Sequence, residues 1–182
     1  PGQVAMRQGL EAEAARLNAE AGDVGDHVHL HIEIAGDGAD GIERQVAQMH
    51  ALVARGVDAI IVQPTDNAAL SVPLEAANAA GIPVVAYDQY ILGGDLAAYV
   101  TSDNRQAGLQ DGEYIASLFA DDKTLRVVLV EYPYVSSTVE RLDGFLDALA
   151  TAHQPYQIVG TYLGVDPVSG RAAGARILAE HP

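Results

Sequence analysis

Leu10, Ala14, Leu17 and Ala21 stand at i, i+4, i+7 and i+11, the spacing of one helix face. Gly22 stops that run. Between His27 and Ala35 apolar and polar residues alternate with period two, which predicts a strand. Ile42, Val46, Met49 and Val53 return to helical spacing, followed by Gly56. Residues 57–62 (VDAIIV) form a continuous apolar strand. Residues 67–80 are helical, with Pro73 tolerable only near the first turn. Gly81 precedes a strand at residues 82–87 (IPVVAY). Three times, then, a helix ends in Gly shortly before a strand, as expected where Gly relieves the left-handed backbone that closes a helix. The pattern continues with a strand at 97–101, a helix at 105–119, a strand at 125–130, a helix at 138–150, a strand at 157–162 and a helix at 166–180. Val139, Leu142, Phe145, Leu146 and Leu149 give the fifth helix its buried stripe.

Val/Ile-rich strands alternating with helices predict parallel sheets covered on both faces. One stretch departs from this rhythm. Residues 88–96 (DQYILGGDL) join two strands with no helix between them. This predicts that the chain crosses to a second sheet near Thr101–Asn104. The resulting division is a first lobe over residues 1–102 and part of a second over 103–182.

Composition narrows the functions. The 182 residues are 49% hydrophobic, enough for one substantial core or two small ones. There are 25 Asp+Glu against 10 Lys+Arg, a net charge of −15. That sign repels nucleic acid phosphates and anionic lipid headgroups, and no basic stripe is present. Cysteine is absent, which excludes disulfides, thiolate nucleophiles and thiolate metal sites within these residues. No apolar run approaches the roughly 20 residues that span a bilayer. No signal peptide is visible; the chain starts Pro1-Gly2 and enters a helix pattern at once, so natural residues are expected to precede it.

Ligands of open parallel sheets bind at the carboxyl ends of strands. The strands here end in Gly36-Asp37-Gly38, Gln63-Pro64-Thr65-Asp66, Asp88-Gln89, Ser102-Asp103-Asn104, Glu131-Tyr132-Pro133-Tyr134, and near Asp166. Carboxylates, amides and aromatic faces facing one another suit sugar hydroxyls and ring faces. Asp88, where a strand leaves the core, is the sharpest position; a turn or cap aspartate is its alternative. Arg141 follows the Ser136-Ser137-Thr138 cap region, with a surface ion pair as its alternative. Tyr132 and Tyr134 sit in a loop, to line a site or to pack beneath it.

Three other patterns carry less weight. Gly36-x-Gly38-x-x-Gly41 matches a dinucleotide turn, but Asp37 and Asp40 would repel a pyrophosphate, and a glycine-rich turn is the simpler reading. His27, His29, His31 and Glu33 line one side of the predicted strand; a face partly covered by a helix explains them better than a metal site. Residues 37–40 lack the spacing of a calcium loop. No phosphate loop, nucleophile elbow or H-E-x-x-H motif occurs, so neither a catalytic residue nor a cofactor is assigned.

VDAIIVQPTDNAAL (57–70), GIPVVAYDQ (81–89), YVTSDNRQAG (99–108) and SSTVERLDGFLDAL (136–149) together resemble the type I periplasmic sugar-binding proteins of ABC importers, the ribose- and xylose-binding group. The resemblance runs in order over essentially the whole chain. It implies an α/β fold of two doubly wound parallel-sheet lobes, both incomplete here, with a monosaccharide between them. Asp88 matches an aspartate that accepts from sugar hydroxyls, and Arg141 an arginine that donates from the other lobe. Gln63 and Tyr132 fall at positions that line the pocket. Gln89, the next residue, is also expected to bind the ligand, although it stands where relatives commonly carry Arg; Val165 stands where they often carry an aromatic. Asp103 and Asn104 match a segment that organises the crossover. The implied protein is a monomer without cofactor, metal or nucleic acid partner. It delivers sugar to an ABC permease and is periplasmic or lipid-anchored outside the cell. The first strand and the remainder of the second lobe are expected beyond these residues. The effector domain of a lac-repressor-type regulator shares the fold and is the alternative. The acidic composition speaks against it, as does Ala120-Asp121-Asp122-Lys123-Thr124, where such regulators tend to carry a Gly-His-Arg-type turn.

Overall fold

A computed structural model describes residues 2–36, 38–119 and 123–182 of the chain. Asp37 and residues 120–122, which entered the sequence reading above, lie outside the described residues. The chain divides into two compact units, Pro1–Ile34 and Ala35–Pro182.

The first unit contains α1 (Gly2–Ala21), closed by Gly22 at φ 62°. The segment 27–35 keeps its apolar–polar alternation but is not a strand. A strand needs a ladder partner, and at Val28 the backbone groups find another one. Asn18 of α1 donates from Nδ2 to the Val28 carbonyl at 2.9 Å, and its Oδ1 accepts the Val28 N–H at 2.6 Å. A side-chain amide thus takes both bonds that a neighbouring strand would make at that residue.

The second unit holds two parallel sheets. The first is built from β1 (Ile60–Val62), β2 (Val84–Tyr87) and β3 (Ala98–Val100), in the order β1-β2-β3. Ile60 pairs with Val84, and Val85 with Ala98. Two helices pack with it, α2 (Gly38–Arg55) and α3 (Ser71–Ala79). Met49, Ile60, Val62, Leu70, Leu74, Ala77, Ile82, Val84, Ala86 and Ile91 form the buried core. Helix α3 begins four residues later than the sequence predicts. Asp66 Oδ1 accepts the N–H groups of Ala68 and Ala69 at 2.8 Å each, which holds the intervening residues in turns.

The connection from β2 to β3 is a loop of residues 88–97. Parallel strands are usually joined through a helix. Here Ile91 is fully buried in the core, and Asn78 of α3 pairs both ways with the Asp95 backbone, at 2.9 and 2.8 Å. Gly93 and Gly94 take φ of 75° and 64°, and a Cβ on Gly94 would lie 2.7 Å from Leu74 Cγ. The glycine pair lets the loop lie close along α3, where a crossover helix would otherwise pack.

The second sheet pairs β4 (Leu125–Glu131) with β5 (Tyr156–Leu163), with a register shift at Val127/Val128. Three helices accompany it: α4 (Asn104–Leu118), α5 (Ser136–Thr151) and α6 (Pro167–Glu180). Tyr162 of β5 donates to Glu180 at 2.6 Å and ties down the end of α6.

Within these residues Ile60 and Val62 are buried, whereas Ile61 is 48% exposed and Val130 51%. For the first sheet the core is drawn from α2, α3 and the 88–97 loop, which supply one apolar layer.

Candidate functional site

Three loops at strand carboxyl ends meet in the second unit. They follow β1 (63–70), β2 (88–97) and β4 (132–135). The Asn67 N–H donates to the Tyr134 carbonyl at 3.2 Å, and the Leu92 N–H to the Asn67 carbonyl at 2.8 Å.

Gln63 and Asp88 are brought together: Gln63 Nε2 donates to Asp88 Oδ2 at 2.6 Å. The loop carrying Gln63 is pinned by Gln45 of α2. Gln45 Nε2 donates to the Gln63 carbonyl at 2.7 Å, while its Oε1 accepts the Thr65 N–H and hydroxyl at 2.9 and 2.8 Å. Asp88 itself has φ 64°, a left-handed backbone that Asp tolerates better than most residues. Its N–H donates to the Val100 carbonyl at 2.9 Å. Its carbonyl accepts from Thr101 Oγ1 at 3.0 Å and from the Tyr99 hydroxyl at 3.3 Å. Burial, and then the Asp88 charge, push the neighbouring Tyr87 hydroxyl up from its ordinary pKa, which keeps it neutral.

Arg141 joins through a chain of polar groups. Asn104 is 1% exposed. It donates from Nδ2 to Thr101 Oγ1 at 3.3 Å and accepts from Arg141 Nη2 at 2.7 Å. Gln63, Asp88, Thr101, Asn104 and Arg141 therefore form one hydrogen-bonded relay from the first sheet to α5. Close helix packing sets its far end. A methyl group on Gly108 would overlap the Arg141 carbonyl, and one on Gly144 would overlap the Arg105 carbonyl. On Gly112 it would stand 2.6 Å from Ala148 Cβ. Glycine at these positions lets the backbones of α4 and α5 touch, which brings Arg141 to Asn104 at the start of α4.

Gln89 turns to α5. It is 7% exposed. Its Nε2 donates to Ser137 Oγ at 2.7 Å, and its Oε1 accepts the Ser137 N–H at 3.0 Å and the Ser136 hydroxyl at 3.3 Å. Asn67 Oδ1 accepts the Ser136 N–H at 3.2 Å, and Ser136 Oγ accepts the Tyr90 N–H at 2.9 Å. Helix α5 starts after Val135, whose side chain offers no cap. Its first two N–H groups are satisfied by amides of the first sheet's loops.

Tyr132 is placed by its own segment. Its ring stands edge-on to Tyr134 at 5.1 Å between centroids, and its carbonyl accepts from the Thr138 hydroxyl. Tyr90 and Tyr99 form a second edge-on pair at 5.3 Å.

The glycines at 36 and 41 serve a helix entry. Gly36 has φ 84°, a Cβ on Gly41 would overlap its carbonyl, and Arg44 Nε reaches back to the Ala35 carbonyl at 2.8 Å. Among the described residues no cluster of three His, Asp or Glu stands ready for a metal. His27 bonds the Gly22 carbonyl at 2.9 Å, and His31 bonds Glu33 at 2.8 Å.

Sequence reasoning missed Gln45 and Asn67. It also missed the glycines of α4 and α5, although Gly108-x-x-x-Gly112 opposite Gly144 is a legible small-residue pattern. Asn104 was assigned to the crossover; it also carries the relay.

Residues 2–182 match the family described as periplasmic binding protein domain. The ribose import binding protein of Bacillus subtilis is 31% identical over 183 residues, covering 98% of this chain and 54% of that relative. Its Escherichia coli counterpart is 25% identical, with 98% and 56% covered. The chain spans about half the length of the curated relatives it matches. Among solved structures, the Caulobacter myo-inositol binding protein bound to myo-inositol superposes with a TM-score of 0.78 at 27% identity, covering 99% of this chain and 57% of that one. The fructose binding periplasmic domain of a hybrid two-component system gives 0.77 at 26% identity, with 97% and 56% covered.

Proposed function

The chain belongs to the periplasmic binding protein domain family, and from that premise we propose that its protein captures a monosaccharide or cyclic polyol in the periplasm and delivers it to an ABC permease. The observation that supports this best is the relay from Gln63 and Asp88 to Arg141. It arranges a carboxylate acceptor at the end of β2 and a guanidinium donor on α5, joined through fixed amides and a threonine hydroxyl.

Each group has a distinct role. Asp88 accepts from sugar hydroxyls. The Gln63 amide on Oδ2 holds the carboxylate in plane, so it need not reorganise when ligand arrives. Arg141 donates to hydroxyl oxygens, and Tyr132 lends a ring face. The lobes of this reading are residues 1–102 and 103–182, with ligand contacts from both; the protein binds and releases its ligand unchanged, as a monomer. The ribose import relatives favour transport over gene regulation. Ribose, fructose and myo-inositol, named for the relatives above, head the ligands to try.

The test is a thermal-shift and calorimetric screen of the full-length protein against pentoses, hexoses and inositols, repeated with Asp88→Asn and Asp88→Ala. Ligand at a hundred times its Kd should add about 2.7 kcal/mol of apparent stability. Asp88→Asn keeps a residue suited to the left-handed backbone and removes the charge, so it should abolish the shift in a folded protein. A folded protein that no sugar or inositol stabilises would sink the assignment. Loss of sugar uptake in cells carrying the Asp88→Asn protein tests the transport step.

A further inference from the structure

The row His27, His29, His31, Glu33 takes no part in the candidate site around Asp88. Side chains two apart on an extended backbone project to the same side. Two pairs in the row bear this out. The rings of His27 and His29 stand edge-on with centroids 6.4 Å apart, and His31 Nε2 meets Glu33 Oε1 at 2.8 Å. His27 Nε2 bonds the Gly22 carbonyl at 2.9 Å. A carbonyl oxygen can only accept, so this nitrogen carries the proton and the neutral ring keeps its lone pair at Nδ1. A histidine that ligates a metal through one nitrogen commonly donates from the other to a carbonyl or carboxylate, which fixes its ring and its tautomer. His27 is held in that way by the turn that closes α1.

We propose that His27 and His29 chelate one divalent transition ion, Cu(II), Ni(II) or Zn(II), in a site that shares no residue with Gln63, Asp88 and Arg141. Two imidazoles bonded to one ion at about 2.1 Å bring their ring centroids to roughly 5 Å. Rotation of two exposed side chains closes the gap from 6.4 Å. Among the described residues no group of three His, Asp or Glu is placed to share an ion, and His31 is engaged by Glu33. The pair is therefore the chelate, and water completes the coordination. Imidazole nitrogen suits these ions, whereas Ca(II) and Mg(II) take oxygen ligands. Asp23, Asp26 and Glu33 put negative charge along the same short stretch, which raises the local concentration of cations.

The site does not rest on the sugar-binding reading, and its test contains no sugar. Full-length protein is purified without a histidine tag, stripped with chelator and titrated calorimetrically with the chlorides of Cu(II), Ni(II) and Zn(II). Glycine in the buffer serves as a weak competitor for Cu(II). Cu(II) should bind more tightly than Ni(II) or Zn(II). Outer partners of metal ligands are worth about ten- to a hundredfold in affinity, so His27→Gln and His29→Gln should each weaken Cu(II) by at least about tenfold. His50→Gln on α2 should leave the affinity unchanged. Pulsed electron spin resonance of the Cu(II) form counts imidazoles without any substitution. It should find at least two in the unaltered protein and one fewer in either variant. Failure of all three ions to bind would overturn the site, as would Cu(II) affinity that survives His27→Gln and His29→Gln together. A spectrum with fewer than two imidazoles in the unaltered protein would do the same, whether or not the variants fold.

Discussion

Two helices of the second unit begin in opposite ways. Helix α6 caps itself. Asp166 accepts the N–H groups of Val168 and Ser169 at 2.7 and 3.0 Å, Ser169 reaches back to the Asp166 N–H at 3.1 Å, and Pro167 sits in the first turn. Helix α5 has Val135 at that position and depends on Asn67 and Gln89. A local cap makes a helix start independent of its surroundings. A cap supplied by another sheet makes the same start conditional on where that sheet lies. The first arrangement stabilises an element; the second couples two of them, and α5 is the helix that carries a candidate ligand residue.

The contrast can be broken most severely at the other support of α5. Gly108→Ala would drive a methyl into the Arg141 carbonyl and should cost about 3 kcal/mol or more. Chemical denaturation should show it, together with loss of ligand binding as Arg141 is displaced from Asn104. Wild-type stability would mean that the helices separate cheaply and that close packing does not place Arg141. A smaller effect is expected at the distant cap. Gln89→Leu strands the buried Ser137 N–H and should cost about 1–3 kcal/mol in the same measurement. The smallest effect belongs to α6. Hydrogen bonds from the Ser169 backbone, the Ser169 hydroxyl and the Val168 backbone hold the Asp166 carboxyl below its ordinary pKa. A lowered folded value means that the cap contributes above the ordinary carboxylate range and fades as pH falls through the folded value. Asp166→Asn keeps capping ability without titrating. The variant should match the wild type more closely at pH 3 than at pH 7 in denaturant titrations, and an equal gap at both would refute the charge contribution.

What the sequence discloses follows the same division between local and distant. The α6 start could be placed near residue 166 because Asp166, Pro167 and Ser169 are neighbours in sequence. Asp88 stood out because it follows an apolar run where a strand leaves the core, and Gln63 through the family resemblance. Their contact follows from β1 and β2 being adjacent and parallel. The partners of Gln89 were not legible, since Ser137 lies 48 residues away in another sheet's helix. The stretch 27–35 reads as a strand because alternation reports a face and not a partner, and at Val28 the backbone pairs with the Asn18 amide.

The left-handed turn at Asp88 has a consequence for how this chain can change over generations. On the proposed sugar-binding reading, one residue there must both bend the backbone and present a carboxylate, and few side chains tolerate the first task. Descendants that keep the ligand should hold Asp at position 88. Descendants that abandon it should drift mainly to Asn or Gly, leaving the turn as a trace of the lost ligand.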